Sequence, residues 1–154
     1  MPFKVFISHS VAPRELGIVY AVVNEAAKKG ASPFIPDRDW NPEGSIPERI
    51  QTHVKETEYM LAIATNSGFQ LKWLNREVKE GLKRRKSLII IADKGIRIPP
   101  EIPSIRIDRD NPAGTIRDIS GRLAKFGRDK KTKEILTWIT IGALLFLLLF
   151  WKEK

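Results

Sequence analysis

The chain has 154 residues, with 27 Lys and Arg against 18 Asp and Glu for a formal net charge of +9, a length that supports one domain with a sizeable core. It has no cysteine, which excludes a disulfide framework, a thiolate nucleophile and a zinc ribbon, and its two histidines, His9 and His53, are too few for a histidine-built metal site. The basic excess points either to nucleic acid or to an anionic membrane surface.

Residues 4–8 are a short apolar, β-branched run that reads as a buried strand, closed by a polar turn at Ser8-His9-Ser10. A helix follows with Leu16, Val19, Tyr20, Val23 and Ala27 on one face; Lys28 and Lys29 suit its last turn, and Gly30 its stop. Residues 32–35 read as a second strand. Pro36 to Ser45 carries two prolines, a glycine and four charges, and so reads as an irregular loop. Ser45 is then expected to cap a helix that has Pro47 and Glu48 in its first turn and Ile46, Ile50, Val54 and His53 facing inward. Residues 58–65 are apolar throughout, as in a central parallel strand covered on both sides. After a loop at Asn66-Ser67-Gly68, Leu71, Leu74, Val78 and Leu82 mark one buried helical stripe that runs out in Lys83-Arg-Arg-Lys86. Residues 87–92 are a fourth strand, 93–103 a proline-rich connection and 104–108 a short edge strand. Asn111-Pro112 opens a last helix with Ile116, Ile119, Leu123 and Phe126 inward.

Ile135 to Trp151 is uncharged and apolar on every face, which suits no helix of a domain this small. As a helix it would span roughly 26 Å, near the lower limit for a hydrocarbon core, with Trp138 and Trp151 towards its two ends. It is expected to be a single-pass membrane anchor. Arg117, Arg122, Lys125, Arg128, Lys130, Lys131 and Lys133 precede it, against Lys152 and Lys154 after it, so the positive-inside rule places residues 1–134 in the cytoplasm. No secretory signal is expected, because Lys4 stands alone before a short apolar run. The basic excess is then a juxtamembrane patch beside anionic lipid, and nucleic acid, for which aromatic interleaving is lacking, is disfavoured as a partner.

Alternating strands and helices predict an α/β open parallel sheet with right-handed crossovers, whose site lies beyond the carboxyl ends of the strands. That rim gathers Ser8-His9-Ser10, Pro36 to Trp40, Thr65 to Gly68, Ala92-Asp93 and the start of the following helix. Glycine-rich nucleotide fingerprints are absent, and the paired acids of a phosphoacceptor receiver domain are replaced by Ser8-His9-Ser10 and Thr65. Trp73 and Glu77 are four apart and share a face adjacent to the apolar stripe. An indole beside a carboxylate suits a sugar-binding or general acid/base position. The plainer alternative is a packed aromatic and a surface glutamate paired with a neighbouring lysine.

Three segments resemble the prokaryotic branch of the TIR (Toll/interleukin-1 receptor) domain family: Val5-Phe-Ile-Ser-His9 its opening strand, Asp37 through Gly44-Ser45-Ile46 its BB loop, and Trp73-Leu-Asn-Arg-Glu77 the tryptophan-x-x-x-glutamate of members that cleave NAD+. The resemblance implies a flavodoxin-like five-stranded parallel sheet flanked by helices, so that the chain divides into a TIR domain (1–127), a basic linker (128–134) and a transmembrane helix (135–151). It implies Glu77 as the catalytic carboxylate, with Ser8, His9, Ser10, Asp37, Arg38, Trp40 and Trp73 binding substrate. NAD+ would be a substrate, with no cofactor and no metal, and the partners would be other copies of the domain and the lipid bilayer. The implied activity is that of an NAD+ nucleosidase, hydrolase or cyclase, in a defence or cell-death response switched by self-assembly. The alternative is a non-catalytic adaptor that signals through contacts between TIR domains. Leu74 departs from the small residue or cysteine that often follows the tryptophan in catalytic members, and the connection from Asn66 to Lys72 is shorter than in many.

Overall fold

The computed structural model describes residues 3–67 and 71–125. The linker and the expected anchor lie outside them, as do Phe126 and Gly68 to Gln70. No helix among the described residues is long and apolar enough to cross a membrane.

Five strands, β1 (Phe3–Ser10), β2 (Ala31–Phe34), β3 (Tyr59–Ala64), β4 (Ser87–Asp93) and β5 (Ser104–Ile107), alternate with α1 (Leu16–Lys28), α2 (Glu48–Glu56), α3 (Leu71–Lys83) and α4 (Pro112–Lys125), except that β4 runs on to β5 without a helix between them. All strand pairs are parallel and the sheet order is β2-β1-β3-β4-β5. The chain therefore reverses its direction of winding between β1 and β3, which puts the switch point of the sheet over those two strands.

The pleat sorts the core into two layers. Val5, Ile7, Leu61, Ile63, Ile89 and Ile91 pack under α1 and α4. Phe6, Met60, Ala62, Ala64, Ile90 and Ala92 pack under α2 and α3. On that second face the residues nearest the carboxyl ends are small: Ser8 and Ser10 pair in register with Ala62 and Ala64, and Ala64 with Ala92. The opposite face carries Ile63 and Ile91 at the same level. Small side chains on one face only leave room there for groups that reach in from α3 and the loop after β2.

Three local expectations are corrected. Ser8, His9 and Ser10 are the last residues of β1, extended and paired with β3, and not a turn. Helix α1 buries Val19, Val22 and Ala26, while Tyr20 is 57% exposed; the stripe lies one position round from the one expected. Helix α2 begins at Glu48 after Pro47, with no side-chain cap. Proline disfavours helical geometry in the residue before it, so Ile46 stays outside the helix and Ser45 is too early to cap it. Gly30 does stop α1, with φ of 85° and its N–H on the Ala27 carbonyl.

Candidate functional site

Helix α3 buries Leu74, Glu77, Val78, Gly81 and Leu82. Their spacing is that of one apolar stripe, so Glu77 occupies a core position on the helix and its exposure is 0%. A carboxylate there requires partners. Ser8 at the carboxyl end of β1 donates its hydroxyl hydrogen to Glu77 Oε1 at 2.6 Å. Arg38, from the loop after β2, donates from Nη1 to Glu77 Oε2 at 2.5 Å and from Nη2 to the His9 carbonyl at 2.8 Å. Both carboxylate oxygens are thus engaged by groups from two other parts of the chain.

Burial dominates the electrostatics of this group. It lifts Glu77 from the ordinary carboxylate range to about 7, against the lowering effects of the Arg38 charge and of hydrogen bonds from Ser8 and Arg38. Such a carboxyl changes protonation near neutral pH. As an anion it can stabilise developing positive charge, and as an acid it can hand on a proton.

The loop that supplies Arg38 is fastened to α3. Trp73 Nε1 donates to the Trp40 carbonyl at 2.9 Å, Arg76 Nη2 donates to the Gly44 carbonyl at 2.8 Å, and Lys72 pairs with Glu43 at 2.7 Å. Trp40 turns inward, buried in the core beneath α3, with its Nε1 on the Asp37 carbonyl. Asp37 faces outward and takes two hydrogen bonds from Arg49, which hold its carboxyl down at about 2.

The expected site residues therefore divide. Ser8, Arg38 and Glu77 meet directly, and Trp73 lies one turn from Glu77, half-buried and holding the loop. Ser10 follows on the same face of β1; its hydroxyl is buried and has no hydrogen-bond partner among the described residues. The pleat puts the His9 side chain on the other face, with Val5 and Ile7. Its Nδ1 is buried without a partner among the described residues, and burial, then the Arg38 charge, lowers it to about 4. His9 is thus neutral at neutral pH, and its backbone carbonyl is what serves Arg38.

Sequence reasoning missed two features. Arg76 fastens the loop although nothing in its surroundings marks it. A second polar cluster closes the rim above β3 and β4, where Arg109 reaches Asp93 at 2.8 and 2.9 Å and Glu15 at 3.2 Å, and Glu15 accepts from Thr65 at 2.6 Å. The core position of Glu77 did have a signal. It stands three residues after Leu74 and four before Gly81, inside the stripe rather than beside it. Among the described residues no group of His, Asp or Glu is placed to hold a metal ion.

The TIR domain profile matches residues 5–118. No curated protein matches the chain. Among solved structures, a diflavin flavoprotein A3 from Nostoc sp. superposes with a TM-score of 0.54 at 10% identity, over 88% of this chain and 97% of that one. The likeness is one of fold. The TIR domains of the activated Roq1 resistosome, which directly recognises the pathogen effector XopQ, superpose with a TM-score of 0.46 at 16% identity, over 89% of this chain and 82% of that one. On the profile match, which spans most of its length and reaches into all five strands, the chain belongs to the TIR domain family.

Proposed function

We propose that this TIR domain is an NAD+ nucleosidase, hydrolase or cyclase, in which Glu77 is the catalytic carboxylate. The observation that carries the reading is a buried glutamate, lifted to about 7, at the carboxyl end of the sheet beside its switch point. Breaking the nicotinamide–ribose bond sends the bonding pair to the pyridinium nitrogen, so neutral nicotinamide leaves without needing a proton. The positive charge passes to the ribose as an oxocarbenium-like centre. An enclosed carboxylate beside it stabilises that charge far better than water does. Water then takes the vacated bond and gives up a proton to solvent, which leaves a linear product, or a nucleophilic atom of the same dinucleotide takes that bond and closes a cyclic one.

In the conformation described, Arg38 and Ser8 occupy the carboxylate. Substrate entry on this reading needs the Arg38 loop to swing off α3, and that loop is the segment through which neighbouring copies would assemble. Residues 135–151 would anchor the chain, with the domain on the cytoplasmic side, and so raise the effective concentration of copies in two dimensions. The enclosure of Glu77 is also what favours the second reading, an adaptor that signals through TIR–TIR contacts without turnover.

The test is NAD+ consumption by the full chain in liposomes at high surface density, beside Glu77→Gln, with products resolved by mass. Consumption by the wild type alone is expected. Equal consumption by Glu77→Gln would refute the mechanism, and silence from a folded, assembled wild type would move the assignment to the adaptor.

A further inference from the structure

All four helices run antiparallel to the strands, so their carboxyl ends share the face from which the strands start. The register confirms the alignment: Val5 pairs with Tyr59, and Tyr59 with Ser87. Contacts across the face tie the helix ends together. Lys86 Nζ donates to the Lys55 carbonyl at 2.9 Å, and Lys4 pairs with Glu56 at 3.3 Å.

This face is basic. Helix α1 ends towards Lys29, α2 carries Lys55 in its last turn, α3 ends at Lys83 and is followed by Arg85, and α4 has Arg122 and Lys125 in its last turn. These six side chains make no ion pair within 4 Å among the described residues. A cation at each helix end complements the helix dipole, but that accounts for one per helix. Four consecutive basic residues, Lys83 to Lys86, close α3 alone. The groove of about 440 Å³ between α4 and the start of β5 is lined by Arg106, Arg117, Arg122 and Lys125 against the single acid Asp118. The opposite rim is mixed in sign: Glu15, Asp37 and Asp93 stand there against Arg38, Arg49 and Arg109.

The chain leaves the described residues at Lys125, on the basic face, and its next residues in sequence are the basic linker and the apolar run at 135–151. We propose that the face at the amino ends of the strands is a docking surface for an anionic bilayer, which holds the domain with its Glu77 rim turned away from the lipid. The orientation rests on the reading of 135–151 as an anchor; the charge of the face does not. Charge complementarity and the exit point agree on the same partner. The rim lies about 20 Å from the face, the length of a six-residue strand. That is about two and a half Debye lengths at physiological ionic strength, so a phosphate-bearing substrate could approach the rim outside the repulsive field of the headgroups.

The absence of cysteine in the chain allows a single label to be placed. Ala27→Cys, exposed in the last turn of α1, reports the basic face, and Asn41→Cys, exposed on the loop over α3, reports the rim. Each labelled full-length chain is reconstituted in nanodiscs of phosphatidylcholine alone or with phosphatidylserine, and energy transfer to a headgroup-labelled lipid is measured. Phosphatidylserine is expected to raise transfer at position 27 and leave it low at position 41. Each of Lys29→Gln, Lys55→Gln, Lys83→Gln and Arg85→Gln should lower the docked-to-undocked ratio about fivefold, and the four together should return transfer to the neutral-disc value.

Equal transfer in both discs, or a four-site variant that still responds to phosphatidylserine, would overturn the proposal. So would loss of the anionic-disc transfer at position 27 on adding a short single-stranded oligonucleotide that the four-site variant fails to bind, which would assign the face to nucleic acid. A chain that leaves neutral discs would refute the anchor separately. Retention on anionic discs by the wild type, and not by the four-site variant, would then still uphold the basic face as the lipid contact.

Discussion

Replacing Arg38 by glutamine tests how Glu77 is held. Removing one partner of a buried ion pair ordinarily costs about 3–5 kcal/mol, because a charge is left stranded. Here the stranded charge has an escape. With Arg38 present Glu77 already sits at about 7, and since the guanidinium lowers it, its loss sends the group higher still. At about pH 5 the wild-type carboxyl carries its proton, so Arg38→Gln forfeits only the hydrogen bonds to Glu77 and the His9 carbonyl, about 1–2 kcal/mol. At about pH 8 the wild type is favoured over the variant by a further ~1–2 kcal/mol, because its carboxyl ionises above its midpoint and the variant's does not. The deficit should therefore grow to about 3 kcal/mol between those two conditions, with the whole increase above neutrality. Urea unfolding of the full chain in detergent micelles, repeated across pH, measures it. A deficit that is constant with pH, or larger on the acid side, would refute the account of Glu77 as a group held up by burial and down by Arg38.

Glu77→Gln should change the pH profile of stability itself. The raised midpoint of Glu77 means that its contribution is full below about 4.5 and is lost as pH rises to about 7, whereas the lowered midpoint of His9 means that stability is gained as pH rises from about 4 to 6.5. Each is worth about 3 kcal/mol, so the wild type should be nearly flat between about pH 4.5 and 6.5 and Glu77→Gln should rise there in thermal melts; a flat variant would contradict the pairing of opposed slopes. Gly81→Ala should change stability by less than about 1 kcal/mol, because the added Cβ would stand 2.6 Å from Met60 Cε and 2.8 Å from its Sδ, the far end of a flexible side chain that can turn aside, while helix propensity improves by about 1 kcal/mol. Chemical denaturation that shows a loss above about 3 kcal/mol would mean that Met60 has no room to give way.

The order of strands and helices was legible because each apolar run has the length and punctuation of its element. What failed was local. In α1 the apolar residues support two stripes, and sequence alone favours the one with Tyr20; packing against the sheet and α4 selects Val19, Val22 and Ala26 instead. Ser8 to Ser10 look like a turn because nothing nearby satisfies buried hydroxyls, and the partner of Ser8 is 69 residues away. The start of α2 was readable from Pro47 and the restriction it places on Ile46. In the candidate site, Glu77 and Ser8 were singled out by residue type and position, but the role of Arg38 was not legible. Its guanidinium crosses 39 residues of sequence to reach Glu77, and no periodicity encodes such a contact.

The placement of β1 in the sheet has a consequence for synthesis. β1 pairs on one side with β2, which ends at Phe34, and on the other with β3, which begins at Tyr59. As the chain emerges from the ribosome, the first strand–helix–strand unit can close early, yet one edge of β1 stays bare until β3 has followed. An unpaired edge of a buried, apolar strand is a template for the wrong neighbour. On a polysome, adjacent nascent copies would present that edge to one another in the interval. Pauses that hold the chain with β2 emerged and β3 still inside the ribosome should therefore harm yield more than pauses after residue 93 has emerged, by which point β1, β3 and β4 can pair and the interior of the sheet is closed.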